Sequence, residues 1–339
     1  MQHVEKELLN PVLLCDSKGQ LNPEAIGFAR QPFIQSNLTK NFMRKKKWNQ
    51  WYVFGEDILF SATIGHFDYV AVCFVYLYNF ETQRFFEKQI TIPMGRGIKM
   101  PEHVLGDVLV NHHQMKIQLL YAENKTMFSV EIQDFDGENL HAELEILHPP
   151  EDESLNVVIP RNRNVFQFAA KHHTLPTTGF VTLGEQAYRF NDDYSFAVLD
   201  YGRGIWPRQT EWNWAMASQR IGHRRIGLNF GGQWTDGTGM TENAVFIDGQ
   251  MIKIHEDVLF SYDLNHPKQP WTIQTKFSNH VRLRFTPFFT RTAKTNTRLF
   301  HSDIHQLVGY FDGYIHLPGH PPLAIRQMLG CSEEHIAKW

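Results

Sequence analysis

The sequence predicts an all-β chain built from two tandem antiparallel units of barrel or sandwich type. Three observations carry this prediction. Apolar residues alternate with polar ones along most of the chain, turn signals recur at short intervals, and helical periodicity is nearly absent. Ile58, Phe60, Ala62 and Ile64 share one face of a run, opposite Leu59, Ser61, Thr63 and Gly65. Ile117, Leu119 and Tyr121 alternate with Lys116, Gln118 and Leu120, and Val281, Leu283 and Phe285 with Arg282 and Arg284. Runs of this kind are strands with one wet face. Tyr69–Tyr78 is apolar on both parities, which predicts a strand covered on both sides. Asp248-Gly249, between Ala244–Ile247 and Met251–Ile254, predicts a hairpin. Only Glu24–Arg30 and Ser332–Trp339 suggest short helices, the latter capped by Ser332.

A boundary is expected near His148–Ser154, where a double proline and a run of charges follow an alternating strand. It divides the chain into residues 1–150 and 151–339, each the size of one barrel. Trp48-Asn49-Gln50-Trp51 and Trp212-Asn213-Trp214 each open a strand-rich stretch, a weak internal repeat.

Of 339 residues, 42% are hydrophobic, enough for a packed core and too many for wholesale disorder. The net charge of −3 gives no electrostatic case for nucleic acid. Cys15, Cys73 and Cys331 are too few and too far apart for a disulfide framework or a thiolate zinc site. The longest apolar stretch, Val70–Tyr78, falls short of the roughly 20 residues that a membrane span needs. No secretory leader is visible, so a reduced cytoplasmic location is expected. No glycine-rich dinucleotide or phosphate loop occurs, nor a zincin or hydrolase-elbow motif. Any activity is therefore expected without a cofactor, from side chains gathered inside a β fold.

The densest unusual stretch is Asp200–Trp214, with carboxylates Asp200 and Glu211, guanidiniums Arg203 and Arg208, and indoles Trp206, Trp212 and Trp214. From Thr210 a strand would place Glu211, Asn213, Ala215 and Ala217 on one face and Trp212, Trp214 and Met216 on the other. If the first set faces a lumen, Glu211 is an inward acid beside small residues that leave room for a ligand. The plainer alternative is a salt bridge from Arg203 or Arg208 that closes a barrel end. Glu242, in Thr241-Glu242-Asn243, shares parity with Ala244 and Phe246. A desolvated carboxyl there would have a raised pKa and could donate a proton near neutrality, unless an arginine pairs with it.

His301, Asp303 and His305 would share one strand face and form a weak candidate for a divalent metal. Arg44, Lys45, Lys46 and Lys47 beside Trp48 and Trp51 offer transient contact with an anionic membrane surface, against the simpler reading of a solvated loop.

Asp16-Ser17-Lys18-Gly19, Asn22-Pro23, Gly27, Arg30 and Pro32 resemble the opening signature of the DUF2804 family, a bacterial and fungal domain of unknown function. Leu199–Pro207, Trp212, Trp214, Gly227-Leu228-Asn229 and Thr241–Asn243 resemble its central signature, and Gln306–Gly309 with Gly313 its closing strand. That family is more distantly similar to carotenoid hydratase (hydroxyneurosporene synthase) and tocopherol cyclase. The resemblance implies two lipocalin-like, or calycin, barrels side by side, and a site in the second barrel or between the two.

Three function classes follow. In the first, a cofactor-free lyase or isomerase of hydratase or cyclase type acts on an isoprenoid-like, apolar substrate. Asp200, Glu211 or Glu242 supplies the proton, and Trp206, Trp212 and Trp214, with Arg203, Arg208 and Asn243, hold the substrate and any cation. In the second, the same residues gate a carrier for a small hydrophobic molecule. In the third, paired carboxylates act on a carbohydrate.

Overall fold

The structure is a computed structural model that describes residues 3–296 and 301–339. Among these residues there is no α-helix; one 3-10 turn spans Pro23–Ala25, and the rest of the ordered chain is strand. The strands form two large antiparallel sheets, each curled on itself, and one two-stranded sheet.

The first sheet has 14 strands. Its central path runs from Phe85–Pro93 through Val70–Asn79, Ile58–His66, Lys46–Phe54, Phe196–Ile205, Val165–Leu183 and Glu138–Leu147 to Lys125–Phe135 and beyond. The second sheet has nine strands, with Gln209–Ile221, Leu323–Lys338 and His301–Ile315 at its centre. The expected strands form where the alternation placed them. Ile58–His66 and Val70–Asn79 are buried almost throughout, and Val281–Asn296 begins with strict burial alternation. The Asp248-Gly249 hairpin joins Ala244–Ile247 to Gln250–Lys253, both turn residues having positive φ as that tight turn requires.

Two expectations change. Strands within residues 155–205, grouped by the sequence with the second unit, are hydrogen-bonded into the first sheet. Phe196–Ile205 pairs with Lys46–Phe54, and Val165–Leu183 pairs with Glu138–Leu147. The change of sheet falls at Trp206-Pro207-Arg208, where proline has no amide to continue the ladder. The loop at Pro149–Glu153 is instead a clasp between the sheets. Asp152 holds Arg225 through two hydrogen bonds of 2.8 and 2.9 Å, and Glu153 accepts from Arg30 and from the Met251 amide. Neither short helix forms. Residues 24–30 give the 3-10 turn and the short strand Phe28–Ala29, while Ser332–Lys338 lies in Leu323–Lys338. That strand pairs on both edges, with Gln209–Ile221 and His301–Ile315, and two ladders outweigh the helix propensity of Glu333, Glu334 and Ala337.

Alternation then decides where a ligand can go. Along Gln209–Ile221, Ala215 and Ala217 face the second barrel's interior, which Phe230, Trp271, Phe285, Phe311 and Met328 fill. Trp214 and Met216 face the other way, onto Tyr52, Phe54, Phe74, Tyr76 and Val198 of the first sheet. This seam buries large aromatic side chains from both sheets, each worth about 2 kcal/mol in removal from water. No helix among the described residues is long and apolar enough to cross a membrane.

Candidate functional site

A narrow cleft, partly open to solvent, lies in the seam. Trp48, Trp206, Trp212, Trp214 and Trp234 wall it, and Lys171, Asp200, Glu242 and Glu333 charge it. Lys171 comes from the long strand Val165–Leu183, just before a register shift between His172 and Leu175 where Thr174 takes a φ of 53°. His172 and His173, as consecutive strand residues, point their imidazoles to opposite faces. His172 packs beside His148, and His173 reaches Ser218 and Asn229 of the second sheet, both at 3.1 Å. Asn229 Oδ1 also accepts from Trp214 Nε1, an indole that can only donate, so His173 Nε2 must be the protonated nitrogen.

Glu242 has no strand of its own. Asn229 Nδ2 donates to its carbonyl at 2.6 Å, and the next residue, Asn243, accepts from the Gly231 amide and donates to the Glu256 carbonyl. These bonds hold the backbone while the side chain lies against Gly231. A Cβ at that glycine would stand 2.9 Å from Glu242 Oε2 and 3.2 Å from its Cβ, so a side chain there would push the acid from this position.

The electrostatics divide the acids. Lys171 Nζ donates to Asp200 Oδ1 at 2.6 Å and stands 3.7 Å from Glu242 Oε1, with the Trp214 ring centred 4.4 Å away. Burial pulls the Lys171 pKa down, but Asp200 and Glu242 overcome it and hold the amine above its ordinary value. Glu242 is pushed up to about 7, chiefly because it is buried and partly because Asp200 is near, against the opposing pull of Lys171. Its Oε1 has no hydrogen-bond partner. Glu333 is also raised by burial, although it accepts from Trp212 Nε1 at 3.0 Å and Gln306 Nε2 at 2.8 Å. The cleft thus holds an ammonium bonded to Asp200 and a carboxyl able to gain or lose a proton near neutral pH.

A model of the domain of unknown function DUF2804 matches residues 5–339. The chain belongs to the DUF2804 family. No curated protein matches this DUF2804 chain. Among solved structures, one described as AttH from Nitrosomonas europaea is similar at a TM-score of 0.48 and 11% identity, covering 86% of this chain and 92% of that one. Kievitone hydratase from Nectria haematococca is similar at 0.45 and 8%, covering 87% and 88%. CghA with Sch210972 is similar at 0.41 and 8%, again covering 87% and 88%.

In the DUF2804 chain, the cleft gathers Asp200, Glu242, Trp206, Trp212 and Trp214 of the residues singled out by sequence. Others lie elsewhere. Glu211 shares the Ala215 parity as expected, but it is exposed and lines a separate groove beside Arg161 and Gln233. Arg208 is exposed. Arg203 is buried with the opposite parity to Asp200, and it donates to the carbonyls of Trp48, Gly202 and Pro101 rather than to a carboxylate. Asn243 is a backbone anchor and does not line the cleft.

His301, Asp303 and His305 do alternate on one strand, but Asp303 is taken by Lys294 at 2.6 Å. Among the described residues, no group of three or more His, Cys, Asp or Glu is placed to hold a metal. The basic run is not a solvated loop. Lys46 is buried against the rings of Phe67, Tyr69 and Trp339, which lowers its pKa to about 8 by desolvation, and Lys45 pairs with Asp68. Only Arg44 of the four is fully exposed.

Sequence reasoning missed Lys171, Glu333, Trp48 and Trp234. Lys171 had one available signal, a lone cation after Ala169-Ala170 in a stretch otherwise fit for burial. Glu333 was hidden by the helical reading of its segment.

Proposed function

We propose that this DUF2804 protein is a cofactor-free lyase or isomerase that moves a proton to or from an apolar, unsaturated substrate in the seam between its two barrels. Glu242 is the acid–base group. Asp200 and Lys171 set its charge environment, and the surrounding indole faces accept a flat or transiently cationic substrate. The observation that carries the reading is Glu242 Oε1, buried in the cleft 3.7 Å from Lys171 Nζ but without a hydrogen bond, on a carboxyl whose pKa lies at about 7. A buried acid without a hydrogen bond is costly to keep, and proton transfer to a ligand is a use for it.

The carbohydrate reading has less support. Asp200 and Glu242 converge on one ammonium instead of flanking an open groove. A carrier would have no use for the proton.

Native mass spectrometry of protein purified from its host identifies the retained small molecule, and turnover is then assayed on it. Glu242→Gln should lower turnover at least about 100-fold while still binding the molecule. Unchanged turnover would remove Glu242 from the chemistry, and a molecule released unaltered by both proteins would establish the carrier.

A further inference from the structure

Trp48 and Trp212 line the acidic cleft on one side and a second, narrow chamber on the other. Val72, Phe74 and Ile304 make much of its wall apolar. Gln89, Arg291, Thr295, Ser302 and His335 interrupt that wall, and two of them, Arg291 and His335, each bury an unanswered nitrogen. Arg291, 4% exposed, gives Nε and Nη2 to Glu87, while its Nη1 has no partner. His335, 5% exposed, shares Nε2 with Ser302 Oγ at 2.7 Å, while its Nδ1 has none. An unmet buried polar group costs roughly 1–3 kcal/mol, a cost that a ligand atom meeting it would remove.

The charges narrow what could meet them. Arg291 is already neutralised by Glu87, and burial holds the His335 pKa down at about 3, so the imidazole is neutral. A carboxylate entering here would be a buried ion without a counter-charge. A carbonyl oxygen can accept from Arg291 Nη1 at no such cost.

We propose that this second chamber is the tail subsite of the seam, taking the apolar part of an extended substrate and holding a neutral carbonyl oxygen on Arg291 Nη1. The inference rests on the cleft being the reacting site and adds the substrate class: a molecule long enough to pass the Trp48–Trp212 wall, apolar along its length, with a ketone-like oxygen remote from the end that reacts. Arg291 acts here as a binding residue.

The test is titration of the full chain by intrinsic tryptophan fluorescence with three probes of similar size: butylbenzene, benzylacetone and hydrocinnamate. Benzylacetone should bind about tenfold tighter than butylbenzene, the expected gain from one charge-assisted hydrogen bond, and hydrocinnamate weakest. Arg291→Met should bring benzylacetone down to the butylbenzene affinity. Ile304→Trp, which fills the chamber, should weaken both. If Arg291→Met does not fold, Glu87→Gln serves, because it frees the arginine charge and should make hydrocinnamate the preferred probe. Glu242→Gln should leave all three affinities within about twofold whatever it does to turnover, so a failed acid and a failed subsite are told apart. No preference for benzylacetone in the wild type, a preference that survives Arg291→Met, or hydrocinnamate binding tightest would each overturn the proposal.

Discussion

Lys171 and Lys253 are both buried, 4% and 8% exposed, and they approach the same short segment, Thr241–Asn243, from different sides. Lys253 is saturated. It donates to Glu5, to Thr241 Oγ1 and to the Ile254 carbonyl, and its carboxylate partner is completely sealed. Burial outweighs Glu5 there, and the pKa of Lys253 is lowered. Lys171 makes one short bond, to an Asp200 that keeps some contact with water, and stands 3.7 Å from Glu242 Oε1, an ion pair without a hydrogen bond. Its carboxylates outweigh burial, and its pKa is raised. Equal burial therefore supports two different roles. Each neighbouring acid keeps one oxygen without a hydrogen bond, Glu5 Oε2 and Glu242 Oε1, so what separates the two sites is their surroundings: Glu5 is sealed, whereas Glu242 lines the cleft where something else can bind.

The largest expected effect contrasts the two directly. Lys253→Met strands the Glu5 carboxylate and should cost about 3–5 kcal/mol in chemical denaturation. Lys171→Met should cost about 1–2 kcal/mol, because Asp200 is partly solvated and Glu242 can take up a proton. Equal losses would break the contrast.

Next comes pH. Glu242 titrates at about 7 in the fold against an ordinary 4.5, so the folded state holds the proton more tightly. Its stabilising contribution is complete below pH 4.5 and is lost as pH rises through 7. Relative to wild type, Glu242→Gln should therefore gain about 3 kcal/mol between acid and mildly alkaline pH. The buried His148 and His172, lowered to about 4 and about 3 by desolvation, act in the reverse sense. They favour the fold above their ordinary value and weaken it as pH falls. Being common to both proteins, they cancel in the difference, and a flat difference would place Glu242 in contact with water.

The smallest effect is a control on the site's limits. Glu211→Gln and Arg208→Gln, both exposed and outside the cleft, should change stability by less than about 0.5 kcal/mol. They should leave turnover as it was. A marked loss with Glu211→Gln would move the chemistry to the neighbouring groove.

The strand pattern was legible because burial on one face writes a period of two into the residues, as Ile58–Gly65 and Val281–Phe285 show. Glu242 was singled out by its parity with Ala244 and Phe246, although it lies in the loop ahead of their strand. The parity of Gln209–Ile221 was also read correctly. What alternation cannot say is which face meets another sheet, so the lumen looked as open as the seam, and only the packing of Phe230, Trp271 and Phe285 fills it. Lys171 was illegible because its partners Asp200 and Glu242 come from a separate strand and a loop far along the chain. Glu333 was lost to local propensity, which two ladders override.

The strand that carries Glu333 occupies the middle of its sheet, with four strands on either side. A nascent chain cannot join those two groups until residues 323–338 have left the ribosome, so this wall of the cleft waits for them. Premature termination even a short way upstream would yield two fragments of sheet with bare facing edges, a species prone to sticking to its own kind.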